Sequence, residues 1–163
     1  HTPNYHFRGR KSDVWEGGHH VPFLVRWPSN IKAGTSTDET TCLSDLLATC
    51  ADLLGKPMPV GVGEDSVSMW PAFQDKISVA PLRDHTIHHS INGVFALRQG
   101  PWKFIDNAGS GGWSSNGKAA PGPNAPKVQL YKLDDDIGEQ KNRWADEPQK
   151  VAALKQLLEE SKK

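Results

Sequence analysis

The apolar positions of this chain change their period twice. Three consecutive apolar residues, Phe23-Leu24-Val25, stand ahead of Pro28, a composition that predicts a short buried strand stopped by the proline. From Leu43 the spacing becomes helical. Leu43, Leu46, Leu47, Cys50, Leu53 and Leu54 share one side, a threonine or Ser44 can cap the start, and Gly55 with Pro57 ends the element. That face requires a surface to bury against. From His85 the pattern alternates, with turns at Asn92-Gly93 and Gln99-Gly100, which predicts a β-meander. Two-residue turns would set Ser90 opposite Phe95, His88 opposite Leu97, Leu97 opposite Trp102 and Phe95 opposite Phe104. One face then carries His88 with Phe95, Leu97, Trp102 and Phe104, and the other carries Ile87, His89, Arg98 and Lys103. A fourth strand is expected over Val128 to Leu133. A last helix, from about Pro148 to Ser161, presents Val151, Leu154, Leu157 and Leu158 to the aromatic face, with Asp146 as a candidate cap.

Composition narrows the function classes. Lysine plus arginine and aspartate plus glutamate both number 19, so the net charge is zero and no long-range field favours nucleic acid or an anionic membrane. No apolar run approaches the ~20 residues that span a bilayer, and no signal peptide is read. The chain opens at His1, and a loop over 1–10 leads directly to the densest cluster of special residues, as expected of a cut chain. Cys42 and Cys50 lack zinc-ligand spacing and, on one helix, would stand ~12 Å apart, too far for a disulfide. They read as small buried apolar residues. Asp134-Asp135-Asp136 fails as a calcium loop at Gly138 and Glu139 and reads as an acidic turn.

The densest cluster is Lys11-Ser12-Asp13-Val14-Trp15-Glu16-Gly17-Gly18-His19-His20-Val21-Pro22, in which the two glycines can take positive φ or admit another group close to the backbone. Glu16 and the glycines read as builders of the turn. The string resembles the Lys-x-x-x-aromatic-Glu-Gly-Gly-x-Arg-x-Pro signature of the formylglycine-dependent sulfatases of the alkaline-phosphatase superfamily, with His20 at the family's arginine. The resemblance implies that Lys11 contacts the sulfate group, where a compact ammonium would neutralise charge growing on sulfate and leaving-group oxygens.

The resemblance continues through Asp45-Leu46-Leu47-Ala48-Thr49, Asp65-Ser66-Val67-Ser68, Phe95-Ala96-Leu97-Arg98-Gln99-Gly100-Pro101-Trp102-Lys103 and Leu130-Tyr131-Lys132-Leu133 with Glu139 and Asn142. It implies an α+β architecture: the end of a sulfatase α/β domain over 1–80, then a C-terminal subdomain over 81–163, a small four-stranded antiparallel sheet packed on a C-terminal helix. Neither Cys42 nor Cys50 sits in a Cys-x-Pro-x-Arg context, and the family's metal-binding acids have no counterpart. The expectation is therefore a C-terminal portion of a sulfatase acting on a sulfated carbohydrate or aryl sulfate, inactive alone. It would hold no cofactor itself, while its parent would use calcium and a formylglycine. Its partners would be the N-terminal sulfatase domain and a sulfated small molecule or glycan, and the parent would be periplasmic or secreted. A non-catalytic sulfated-glycan-binding module, a pseudoenzyme and a fragment of a phosphoester or phosphonate hydrolase remain alternatives.

Two further residues are candidates for substrate binding. His89, grouped with Arg98 and Lys103, could meet a sulfated ligand or make a contact between lobes. Trp113 lies in a Gly-, Ser- and Pro-rich loop over 106–127 that is expected to be poorly ordered in isolation and to line the substrate cleft. Its indole could stack on a sugar ring or simply tuck against the sheet edge.

Overall fold

The computed structural model describes residues 4–75, 80–114 and 126–162. In chain order it contains a single helical turn α1 (Glu16–His19), a 3-10 turn (Leu43–Asp45) running into α2 (Leu46–Leu53), a short α3 (Trp70–Phe73), strands β1 (Thr86–His89), β2 (Phe95–Gln99), β3 (Trp102–Ile105) and β4 (Gln129–Lys132), and α4 (Pro148–Ser161). Two compact units result, one formed by His1–Pro22 with Ile87–Lys163 and the other by Phe23–Thr86. The lysine-bearing segment thus packs with the later sheet rather than with the residues that immediately follow it.

The sheet of the first unit has the order β1-β2-β3-β4. β2 and β3 pair as Leu97↔Phe104, Arg98↔Lys103 and Gln99↔Trp102, so Gly100 and Pro101 form the turn. The expected pairing of Leu97 with Trp102 is therefore off by two residues on β3. A two-residue slip preserves facing, and Leu97, Phe104 and Leu130 do form a buried layer with Leu154 and Leu158 of α4, flanked by Phe95 and Trp102. The β1–β2 connection differs in a way that matters more. Ser90 N donates to Val94 O at 2.9 Å and Gly93 N donates to Ser90 O at 3.0 Å, so the chain turns through Ile91, Asn92 and Gly93. One additional turn residue reverses every side chain of β1 relative to the expectation. Ile87 joins the helix-side layer, whereas His88 points the other way, with its Nε2 donating to Val14 O at 3.2 Å.

The opposite face of the sheet is covered by the lysine-bearing segment. Val14 and Trp15 pack there on Ala96, Ile105, Tyr131 and Leu133. Trp15 Nε1 donates to Gln129 Oε1 at 2.9 Å, which satisfies the indole inside that layer. Lys103, expected on an accessible face, is fully buried under this cover. The cap of α4 also differs from expectation: Glu147 precedes the first turn without a side-chain bond, and Pro148, with its fixed φ, starts the helix in place of an Asp146 cap.

In the second unit, Phe23-Leu24-Val25 forms no strand and is exposed, with Leu24 at 89%. A strand needs a ladder, and none of the described residues of this unit supplies one. The segment is nonetheless sided: Phe23 stacks on Phe73 at 6.3 Å and Trp27 meets Trp70 at 5.8 Å. Helix α2 buries Ala48 and Thr49 while Leu43, Leu46, Leu47 and Leu54 stay exposed. Cys50 is exposed and Cys42 is partly buried, its Sγ 2.8 Å from Thr86 Oγ1, so the expected burial of both cysteines does not hold. The start of this helical stretch is closed by Asp45, whose Oδ2 accepts Cys42 N at 2.7 Å, rather than by a threonine or Ser44. Asp45 Oδ1 also accepts Val67 N at 3.0 Å and pairs with Arg83, and Thr49 Oγ1 accepts Met69 N at 2.9 Å. The aspartate and threonine of the α2 motif therefore fasten residues 67–69 to the helix.

Candidate functional site

The helical turn α1 exists because two glycines let it sit where no Cβ fits. A Cβ on Gly17 would lie 2.5 Å from Gly9 O and 2.6 Å from Arg8 O, and one on Gly18 would lie 2.1 Å from Asp13 O. Neither glycine has positive φ, so close approach is the reason for the pair. The turn lowers Glu16 into the interior, where its Oε1 accepts Lys103 Nζ at 2.8 Å and its Oε2 lies 2.9 Å from His20 Nδ1. Glu139, also buried, receives Glu16 N on its Oε2 at 2.7 Å. Its Oε1 is 2.9 Å from Lys103 Nζ, at ion-pair distance but without the alignment of a hydrogen bond. One ammonium is thus shared by two carboxylates. For Glu16, burial is the largest influence and acts upward, but Lys103 and His20 together bring its pKa down to about 2. For Glu139, burial prevails and the pKa is raised.

His20, at the position of the family's arginine, stacks on Phe7 with ring centroids 4.4 Å apart and supports Glu16. It therefore serves the turn. Two other histidines lie nearby with centroids 4.1 Å apart, His19 and His88. Burial first, then the Lys103 charge, lowers the pKa of each, that of His88 to about 3. Both are held neutral.

Beside this framework, and wholly within the first unit, a depression of about 300 Å³ is lined by Lys11, Ser12, His19, His89, Ser90, Ile91 and Trp113. All three residues singled out from the sequence, Lys11, His89 and Trp113, meet in its wall. His89 stands at the end of β1 on the helix side of the sheet, 5.7 Å from the Phe95 ring, not beside Lys103 as the expected facing had it. Its Nδ1 donates to Ser90 O at 2.8 Å, which leaves Nε2 as the ring nitrogen not engaged by that bond. Trp113 is half exposed. The loop that carries it is fastened over 109–114, where Gly109 to Gly112 are buried, whereas residues 115–125 lie outside the described residues. The depression brings together a lysine, a histidine and an aromatic plane, residue types suited to an anionic group attached to a ring with hydroxyls.

Sequence reasoning missed Ser12, Asp13 and His19 as neighbours of this site. Only their positions inside the lysine string hinted at it. Among the described residues no three His, Cys, Asp or Glu side chains converge as a metal site. Neither cysteine has the sequence context from which a formylglycine is made. These residues do not fit either group, and no chemical step runs through them.

Residues 1–56 match the family model described as Sulfatase. An N-acetylgalactosamine-6-O-sulfatase from Bacteroides thetaiotaomicron is 30% identical over 99% of this chain and 31% of its own length. Human steryl-sulfatase is 39% identical over 43% of this chain and 12% of its own length. A solved structure from work on glycosaminoglycan metabolism by Bacteroides thetaiotaomicron superimposes with a TM-score of 0.82 at 29% identity, covering 99% of this chain and 33% of that one. The chain spans about a third, or less, of the length of the relatives it matches. With the lysine string, the antiparallel sheet and its terminal helix all within the matched region, the chain belongs to the sulfatase family.

Proposed function

We propose that this chain is the C-terminal part of a sulfatase that hydrolyses sulfate esters of carbohydrates, with nucleophile and metal ligands on the rest of the protein. The observation that carries the reading is the meeting of Lys11, His89 and Trp113 around one depression. In it Lys11 binds the sulfate and offsets charge developing during S–O cleavage, His89 Nε2 hydrogen-bonds a sugar hydroxyl, and Trp113 stacks on the sugar. The relative named for N-acetylgalactosamine-6-O-sulfate chemistry supports a 6-sulfated amino sugar as first substrate to test. The exposed leucines of α2 and the unpaired Phe23-Leu24-Val25 segment support a covering N-terminal domain as partner. Calcium and a formylglycine would act from that domain, in a periplasmic or secreted protein.

The test is Lys11→Ala in the full-length protein, which should lower kcat by ~10²-fold, as for removal of one preorganised charge. An unchanged kcat would return Lys11 to the surface. The isolated chain should neither hydrolyse a chromogenic aryl sulfate nor bind calcium tightly, and measurable turnover by it would overturn the reading.

A further inference from the structure

The turn that carries Lys11 and the segment that carries Trp113 are about a hundred residues apart in sequence, yet they are joined through one side chain. Asp13 is completely buried, and every bond described for its carboxylate is accepted. Oδ1 accepts Ser114 N at 3.1 Å. Oδ2 accepts Arg10 N at 2.8 Å and also the Ser114 hydroxyl. One oxygen therefore closes the turn around Lys11 while both grip the residue after Trp113. The neighbours extend the clasp. Ser12 Oγ accepts Trp113 N at 3.1 Å, Arg10 donates to Trp113 O at 3.1 Å, and Val14 N donates to Ser110 O at 2.9 Å.

Two backbone features show how tightly these segments are pressed together. Ser12 has φ of +88°, in the left-handed region that a non-glycine residue occupies only when its surroundings hold it there. Its carbonyl accepts Ile91 N at 3.0 Å, which supplies part of that hold and links the depression's third wall. Gly112 approaches so closely that a Cβ there would lie 2.5 Å from Ser12 O and 2.6 Å from Asp13 Oδ1. The carboxylate itself is stabilised in its charged form: burial acts upward, but the bonds from Ser114 and Arg10 outweigh it and the pKa falls below the ordinary value.

We infer that Asp13 is the positioning residue of this site, a latch that fixes the Trp113 plane relative to the Lys11 ammonium and so sets how far the sugar lies from the sulfate contact. The inference rests on the sulfatase reading for its consequence in catalysis. Asp13 is not itself among the residues that line the depression, so it acts through Trp113 and the Lys11 turn. Asparagine at position 13 keeps the volume but turns one acceptor into a donor facing other donors, which loosens the clasp.

A double-mutant cycle on the full-length protein separates a latch from a general structural role. With a 6-sulfated N-acetylgalactosamine as probe, Asp13→Asn should raise KM about 10-fold with little change in kcat, as expected for lost ground-state positioning. Trp113→Ala should do the same, and the double variant should be no worse than the poorer single one. Multiplying effects, or a fall in kcat alone, would overturn the inference. Ser114→Ala removes only the hydroxyl bond from an exposed residue and serves if Asp13→Asn does not fold; it should shift KM by a smaller factor in the same direction, and an unchanged KM counts against the latch. Hydrogen exchange at the Trp113 and Ser114 amides gives a readout independent of substrate. Faster exchange in Asp13→Asn with other sheet amides unchanged supports the latch, and unaltered exchange sinks it even if Lys11→Ala upholds the sulfatase reading.

Discussion

Lys103 Nζ lies 2.8 Å from Glu16 Oε1, and this pair, closed off from solvent, ties the helical turn after Lys11 to the middle of the sheet. Charges so placed are stable only together, because each alone would carry its desolvation cost without an opposite charge. Lys103→Met should therefore destabilise the protein by about 3–5 kcal/mol by urea unfolding, since Glu16 and Glu139 would face each other unneutralised. Adding Glu16→Gln and Glu139→Gln to Lys103→Met should recover a large part of the loss. A single variant as stable as the wild type would show that solvent reaches the cluster.

Acid should act on this protein in two stages. His88 has its pKa lowered to about 3, so in the pH range below 6.5 the unfolded chain takes up a proton that the folded chain refuses. Stability is present above pH 6.5 and drains away as pH falls toward 3, by at most about 5 kcal/mol from this group. Glu16, lowered to about 2, adds a second loss between pH 4.5 and 2. Glu139 is shifted upward and acts oppositely, favouring the fold where it is protonated. Melting temperature followed from pH 7.5 to 5 should fall in the wild type and fall less in His88→Gln. Parallel curves for the two proteins would mean that His88 titrates normally in the fold.

Fold and site were legible to different degrees, and the errors have one physical origin. Four strands and the terminal helix follow from local pattern, because each element's own sequence carries its period. Facing does not, since it depends on turn length: one added residue at Ile91-Asn92-Gly93 reversed β1 and exchanged the environments expected for His88 and His89. Lys103 was placed in the open because alternation tells which face a residue is on but not what covers that face. Here the cover is Val14, Trp15 and Glu16, more than eighty residues earlier. Lys11 could be named through the family resemblance of its string, and His89 and Trp113 from residue chemistry. Asp13, which joins the Lys11 turn to the residue after Trp113, gives no local signal, as its partners Arg10 and Ser114 become meaningful only after folding.

The glycines of the lysine string offer a sharper contrast. Gly18→Ala would press a methyl against Asp13 O, a backbone atom that cannot rotate away. A loss of about 3 kcal/mol or more is expected, with disturbance of the Asp13 clasp. Gly93, by comparison, has φ of +74° but open space around it, so Gly93→Ala should cost only about 1 kcal/mol in backbone strain. Equal stability losses for the two variants would mean that α1 can shift to make room.

Trp113 gives the test that distinguishes a sugar platform from a surface contact. The indole is half exposed in the wall of the Lys11 depression, and its backbone is held on both sides, by Ser12 Oγ at its N–H and by Arg10 at its carbonyl. The ring therefore has a fixed base and an open face. A side chain tucked against the sheet edge for packing would bury that face, and a solvated linker would not anchor it. If the plane stacks a sugar beyond the sulfate, Trp113→Ala in the full-length protein should raise KM for a sulfated glycan about 10-fold, the ~1.4 kcal/mol typical of an aromatic contact. KM for a small aryl sulfate should stay within about twofold, because a substrate that ends at the sulfate contact does not reach the indole. Equal loss on both substrates would assign Trp113 to the stability of the Lys11 turn, and loss on neither would remove it from the site.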